Sequence, residues 1–156
     1  MRRILALAGA LSLSACLNLN VDSPNGPAAD NPSDPATETF ASSLHIDVAT
    51  MQKTASGVYY KDVKVGTGDS LSTQANVVVS YLVFLKNAAL VTQQVDVTEA
   101  MASELQGFRD GVVGMQPGGE RILVIPSALG FGPRTDVPGV PPNSTLVYDV
   151  ILSLIP

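Results

Sequence analysis

Between Val140 and Leu152 the chain reads VPPNSTLVYDVIL, and this stretch limits the fold more than any other. Pro141 and Pro142 cannot donate backbone hydrogen bonds and hold the chain extended, so a strand can begin only after them. Asn143-Ser144 is a turn pair, and Thr145 to Leu152 then reads as a strand. Leu146, Tyr148, Val150 and Leu152 fall on one face; Val147, Asp149, Ile151 and Ser153 fall on the other. One wholly apolar face and one mixed face describe a sheet packed on one side. The glycine- and proline-rich loop ahead of it, SALGFGPRTDVPG, and the inward Tyr148 together supply a pocket wall.

The rest of the chain from Gly57 onward fits such a sheet. Val58 to Val65 is a strand closed by Gly66-Thr67-Gly68-Asp69, which lacks the full fingerprint of a phosphate loop and is read as a turn. Asn76 to Leu85 is a second strand, Lys86 to Ala89 a hairpin turn, and Leu90 to Val95 the returning strand. Ser103 to about Met115 carries the one helical pattern, with Ser103-Glu104-Leu105-Gln106 fitting a capping box and Leu105, Phe108, Val112 and Met115 on one face. Gly107, Gly111 and Gly114 lower its propensity, so it should be short and held by packing. Pro117-Gly118-Gly119 turns the chain into a strand from Arg121 to Pro126. The expected fold is α+β, an antiparallel twisted β-sheet wrapping one short α-helix.

The N-terminal third reads differently. Arg2-Arg3, a short apolar run and Leu13-Ser14-Ala15-Cys16 form a secretory leader too short to span a bilayer. Its last four residues resemble a bacterial lipobox, which implies cleavage after residue 15 and lipidation of Cys16, with Leu17 compatible with outer-membrane delivery. Residues 16–43 carry Pro24, Pro27, Pro32 and Pro35 among polar residues and are expected to be a disordered tether. Residues 44–55 form an extension whose Leu44, Ile46, Val48 and Met51 could lie against the domain of residues 56–156. The expected location is the cell envelope, lipid-anchored on the periplasmic side.

Composition narrows the chemistry. Nine Lys and Arg stand against fourteen Asp and Glu; removing Arg2 and Arg3 leaves seven against fourteen, or −7. Such a balance, without a basic cluster, argues against nucleic acid as a partner. The single Cys and the single His, Cys16 and His45, both precede the domain, so thiol, Ser/His/Asp and clustered metal-ligand chemistry are unavailable inside it. No cofactor or metal is expected. His45 is read as a surface or packing residue, and the absence of coiled heptads gives a monomer. Paired carboxylates remain possible, but the acids are scattered at turns and on polar faces, where solvated charge is the default; what survives is chemistry without proton transfer or covalent intermediates. Rotation about an X-Pro bond qualifies: its barrier of about 18–20 kcal/mol comes from lost amide resonance, which a dry apolar pocket with one hydrogen-bond donor can lower.

The C-terminal run Pro141-Pro142-Asn143-Ser144-Thr145-Leu146-Val147-Tyr148-Asp149-Val150 resembles the signature of the FKBP-type peptidyl-prolyl cis-trans isomerases, and the likeness extends over about Ser56 to Ile155. The resemblance implies a non-covalent proline isomerase acting on proline-containing segments. It places Phe108, within Gly107-Phe108-Arg109-Asp110-Gly111, at the floor of the pocket. Tyr81 falls on the wall tyrosine, and Glu104-Leu105 on the pair whose second N–H bonds a substrate carbonyl. Phe131 falls on the Tyr of the family's A-Y-G, Val140 on the residue before Pro-Pro, and Tyr148 on the inward aromatic of the last strand. A Ser103 cap would compete for the donor at Leu105 or Gln106.

The chain also departs from the family. Where the family hairpin continues F-D-S-S, this one has Val91-Thr92-Gln93-Gln94; Asp96 could replace the missing acid only if the hairpin shifted by four residues. Phe131 lacks the hydroxyl of the family tyrosine. Two functions therefore stand side by side: a tethered isomerase assisting folding in the envelope, and a binding or chaperone module that keeps the groove without turnover.

Overall fold

The computed structural model describes residues 34–73 and 75–156. The leader, Cys16 and the start of the tether lie outside the described residues. A six-stranded sheet in the order β1-β2-β5-β6-β3-β4 forms the body, every neighbouring pair antiparallel. The strands are β1 (Gln52–Lys53), β2 (Tyr59–Lys64), β3 (Asn76–Leu85), β4 (Leu90–Ala100), β5 (Glu120–Ile125) and β6 (Leu146–Leu154). One helix, α1 (Gln106–Val112), lies on the concave side. The expected α+β architecture is the observed one.

β6 is central, its Tyr148 paired with Val83 of β3 and Leu123 of β5. The period-two pattern is obeyed: Leu146, Tyr148, Val150 and Leu152 are buried against the helix side, while Ile151 and Ser153 are exposed. The core on that side joins them to Val77, Val79, Val83, Phe108, Val112, Leu123 and Ile125. Glycines let α1 approach the sheet. A Cβ at Gly107 would collide with the Ile125 side chain, and one at Gly111 would sit 2.8 Å from Leu123 Cδ1. The residues that lower helix propensity are the ones that permit the packing that replaces it.

Three expectations require correction. The helix covers seven residues, not thirteen. At its start, Met101–Ser103 form a 3-10 turn pinned by the buried Met101, and the Glu104 N–H donates to Met101 O at 3.3 Å, so no capping box forms at Ser103. At its end Val113 is extended and Gly114 takes a φ of +81°, which stops the helix before Met115.

β4 is longer than expected, running to Ala100. A bulge extends it: Val79 pairs with Val97 but Tyr81 with Gln94, so Val95 and Asp96 together oppose Ser80. Asp96 accommodates the extra residue with a φ of +49°, its N–H donating to Ser80 Oγ at 2.9 Å.

The tether was expected to run to Ser43, yet residues 34–43 are folded onto the sheet. Asp34 caps a 3-10 turn at Pro35–Thr37 and accepts from Tyr59 Oη (3.0 Å), while Glu38 pairs with Lys86 (3.1 Å) and accepts from Thr145 Oγ1. Polar composition predicts an undocked chain only while its charges lack partners; here each acid finds one. Phe40, Leu44, Ile46, Val48 and Met51 then cover the convex face at Tyr59, Val124 and Val147.

Candidate active site

Two strands and the helix bring three aromatic rings together on the concave side. Tyr81 of β3, Phe108 of α1 and Tyr148 of β6 have centroids 5.7 Å (Tyr81–Phe108), 5.8 Å (Tyr81–Tyr148) and 5.4 Å (Phe108–Tyr148) apart, all tilted. Such spacing favours edge-to-face contact between ring quadrupoles. Leu105, Phe131 and Val91 are half-buried and pack on the same core, and Val140 is buried in it. Thr92 pairs with Val83 across the hairpin and its side chain makes no hydrogen bond among the described residues.

Phe108 is only 1% exposed. The expected hollow reaching down to a phenylalanine floor is closed in this structure, because the ring is enclosed by the tyrosines and the core. The accessible part of the site is its rim: the half-buried Tyr81, Leu105 and Phe131. Phe131 sits in a loop held by four hydrogen bonds: Gly130 N–H and Gly132 N–H to Ser127 O (3.0 and 2.9 Å), Arg134 N–H to Phe131 O (3.4 Å), and Asn143 N–H to Gly132 O (2.7 Å). Arg134 stands 6.0 Å from the centre of the Phe131 ring.

The competition for a backbone donor is resolved by the helix start. Leu105 is the N-cap residue, with ψ 140° and no side-chain cap, and its N–H has no acceptor among the described residues. The first N–H groups of a helix lack intrahelical partners by construction. Here the Ser103 hydroxyl does not fill that role, and a donor remains beside the aromatic rings.

The electrostatics of the rim centre on two acids. Tyr81 Oη donates to Glu99 Oε1 at 3.3 Å. Glu104, expected among the substrate-binding residues, is half-buried in the connection that leads into α1. Its burial, reinforced by the Glu99 charge, pushes its carboxyl up to about 7. Burial, with Glu99 and Glu104 nearby, pushes the Tyr81 phenol up to about 12. Tyr148 is raised as well, by burial first and then by Tyr81 and Glu104. These residues have no nucleophile–base pair among them. The rim offers apolar ring faces, one free N–H and a tyrosine whose hydroxyl is already engaged.

Glu99 was not anticipated from the sequence. The hairpin is not shifted by four residues, and Asp96 does not approach Tyr81; its Oδ1 instead accepts from Ser153 Oγ at 3.0 Å and Ser80 Oγ at 3.4 Å. Glu99 reaches Tyr81 because the bulge at Asp96 resets the far half of β4, and neither spacing nor residue type announces a bulge. A separate cleft of about 480 Å³ lies on the opposite face, between Leu44, His45, Ile46 and Leu82, Phe84, Ile122, Val147. Tyr148 also lines this cleft, but Tyr81, Leu105, Phe108 and Phe131 do not, and the chemistry is read from the concave side.

Comparison with known proteins agrees with this geometry. The family profile of the FKBP-type peptidyl-prolyl cis-trans isomerases matches residues 68–153. The chain is 36% identical over 105 residues to FK506-binding protein 4 of Chaetomium thermophilum, covering 64% of this chain and 22% of that protein. It is 33% identical over 106 residues to the FKBP-type peptidyl-prolyl cis-trans isomerase FkpA of Escherichia coli, covering 65% of this chain and 39% of that protein. The crystal structure of FkpA superposes with a TM-score of 0.63 at 30% identity, over 67% of this chain and 51% of that one. The chain thus spans well under half the length of these curated relatives. With the last-strand motif, the sheet wrapped on one helix and a match across more than half its residues, the chain belongs to the FKBP-type peptidyl-prolyl cis-trans isomerase family.

Proposed function

We propose that the protein accelerates cis–trans rotation about X-Pro bonds of polypeptide segments, without covalent intermediates. The observation that carries this reading is the free N–H of Leu105 beside the Tyr81–Phe108–Tyr148 rings. The N–H anchors a carbonyl flanking the proline, and the rim of Tyr81, Leu105 and Phe131 takes the prolyl ring. In that apolar setting the planar, charge-separated amide is less favoured than in water, so the twisted form becomes relatively cheaper to reach. Binding energy from the flanking residues is then spent on the twist.

The finer assignment is a folding assistant held at the periplasmic side of the cell envelope, monomeric and anchored through Cys16. Its support is the Arg2-Arg3 leader, the lipobox-like Leu13-Ser14-Ala15-Cys16 and the polar segment that follows. Metabolic labelling with a fatty-acid analogue, lost in Cys16→Ala, tests the anchor.

A second reading, proline-segment binding without turnover, is favoured by two observations: Phe108 is sealed, and Phe131 brings no hydroxyl. Isomerisation of a short proline peptide, followed by NMR exchange spectroscopy, separates the two. The isomerase reading requires exchange faster than the uncatalysed rate, rising further in Phe131→Tyr. Peptide binding with unaltered exchange would leave the binder.

A further inference from the structure

We propose that the convex face of the sheet carries a second polypeptide-docking groove, which takes an extended segment whose Lys or Arg sits on Asp149 with an apolar residue two positions away on either side. The proposal goes beyond the proline reading and does not rest on it, because the side chains it uses lie on the face opposite the aromatic rings.

The register of the sheet builds this face. Lys61 of β2 pairs with Ile122 of β5, Ile122 with Asp149 of β6, Asp149 with Leu82 of β3, and Leu82 with Gln93 of β4. Residues directly opposite one another share a face, so the five form one row across the sheet, and Asp149 is its only acid. Two clefts meet there, since Leu82 and Asp149 line both. The larger, about 480 Å³, is walled by residues 43–46 and floored by Phe84, Ile122 and Val147. The smaller, about 160 Å³, runs over Gln93, Gln94, Val95 and Ile151. Val95 and Ile151 are exposed apolar residues. From β5 to β4 the groove crosses three strand spacings, about 14 Å, which is the length of roughly four to five extended residues.

Asp149 is the polar exception in this groove. It is half-buried, its Oδ1 is buried without a hydrogen-bond partner, and among the described residues no cation pairs with it. Glu120 of β5, opposite Ile151, brings a like charge. Lys61 stands two strands away with Ile122 between, and Lys86 is engaged with Glu38. Buried polar atoms are ordinarily satisfied. A carboxylate whose inner oxygen finds no donor in the protein can gain one only from its open side, which is the groove. A guanidinium or ammonium answers the charge and the missing donor together.

The apolar walls on both sides of Asp149 fix the neighbours of that cation. In an extended chain alternate residues face one way, about 6.6 Å apart. With the cation on Asp149, the apolar residue two positions to one side enters the cleft over Phe84, Ile122 and Val147. Its counterpart on the other side covers Val95 and Ile151. A single-headed amphiphile fills one cleft and meets the charge but leaves the other cleft bare. The exposed carboxamides of Gln93 and Gln94 suit the main-chain groups of a peptide.

The test is fluorescence anisotropy of the full chain with a labelled, proline-free peptide in which a central Arg is separated by one Thr on each side from a Leu. Saturable binding is expected, weakened about tenfold when the Arg is replaced by norleucine. Asp149→Asn should weaken the Arg peptide by the same factor and leave the norleucine peptide unchanged. Should Asp149→Asn fail to fold, Ile151→Lys decides: at an exposed position it places a competing cation in the groove and should weaken the Arg peptide. No binding to wild type, or equal affinity for the Arg peptide in wild type and Asp149→Asn, overturns the groove. Self-association of wild type that is abolished by Ile151→Lys, without peptide binding, would assign the face to a second copy and overturn the peptide. Isomerisation of a short proline peptide should be unchanged in Asp149→Asn; a loss there would join the two faces and overturn a separate groove.

Discussion

The two ends of α1 belong to one seven-residue helix, yet they are finished in opposite ways. At the C-terminal end the carbonyls of Gly111, Val112 and Val113 all have donors. Arg121 of β5, 7% exposed, donates from Nη1 to Gly111 O (2.8 Å) and Val113 O (3.0 Å), from Nε to Asp62 (2.6 Å), and lies over the Tyr60 ring. At the N-terminal end, among the described residues, no side chain caps the helix, the Leu105 N–H has no acceptor, and neither Glu99 nor Glu104 is paired with a cation. The comparison teaches where a short helix can leave groups available. With one end clamped by a buried guanidinium fork, the other need not be closed by its own sequence. The anchored end is tied into the sheet, and the open end leaves a backbone donor without an acceptor among the described residues.

Substitutions at the shared packing surface should have the largest effect. Phe108→Ala empties the centre of the ring trio and should cost about 3–5 kcal/mol in urea unfolding, with peptide isomerisation lost as well. Next comes the clamp: Arg121→Met strands the Asp62 carboxylate and two helix carbonyls, and should cost about 3 kcal/mol. Arg121→Lys should recover only part of that, since an ammonium cannot reproduce the planar fork. If Arg121→Met instead unfolds no more readily than wild type, the clamped-end half of the comparison fails. Gly107→Ala pushes a methyl into Ile125 and to 3.0 Å from Leu129 O; a loss of about 1–3 kcal/mol is expected from overpacking.

The open end gives smaller, more diagnostic effects. Glu104 has a higher carboxyl value folded (about 7) than unfolded (4.5), so the native state binds the extra proton and stability falls as pH rises through about 7. Because the group is partly solvated, the loss between pH 5 and 8 should be only about 1 kcal/mol. Asp149, raised by burial and by Glu120, adds a loss of the same sign. The informative quantity is therefore the difference between wild type and Glu104→Gln in denaturation at both pH values. Smallest of all is Ser103→Ala. A capping serine is worth about 1 kcal/mol, whereas this one caps nothing and its removal should change stability by less than about 0.5 kcal/mol.

Much of the molecule was legible in one dimension. β3 was readable from its apolar run, and β6 from the Pro-Pro brake followed by alternation, because a packed sheet face imposes a period of two on any sequence that forms it. Tyr81, Phe108 and Tyr148 were identified through the resemblance, and the fold brings their rings into contact. The start of the helix was misread because Ser103 has the right neighbours for a cap. Whether it caps depends on Met101, whose burial commits the preceding residues to a 3-10 turn. Arg121 as a helix clamp was invisible, since its partners lie 8, 10 and 59 residues away.

The sequence by itself determined the class of fold and left the domain without His or Cys, because periodicity and residue inventory are properties of the chain alone. Only the tertiary structure decided that Glu99 rather than Asp96 serves Tyr81, that Phe108 is sealed, and that the Leu105 N–H stays free. Each of those depends on which groups meet across a bulge or a helix end, and such meetings are set by packing between distant segments rather than by local preference.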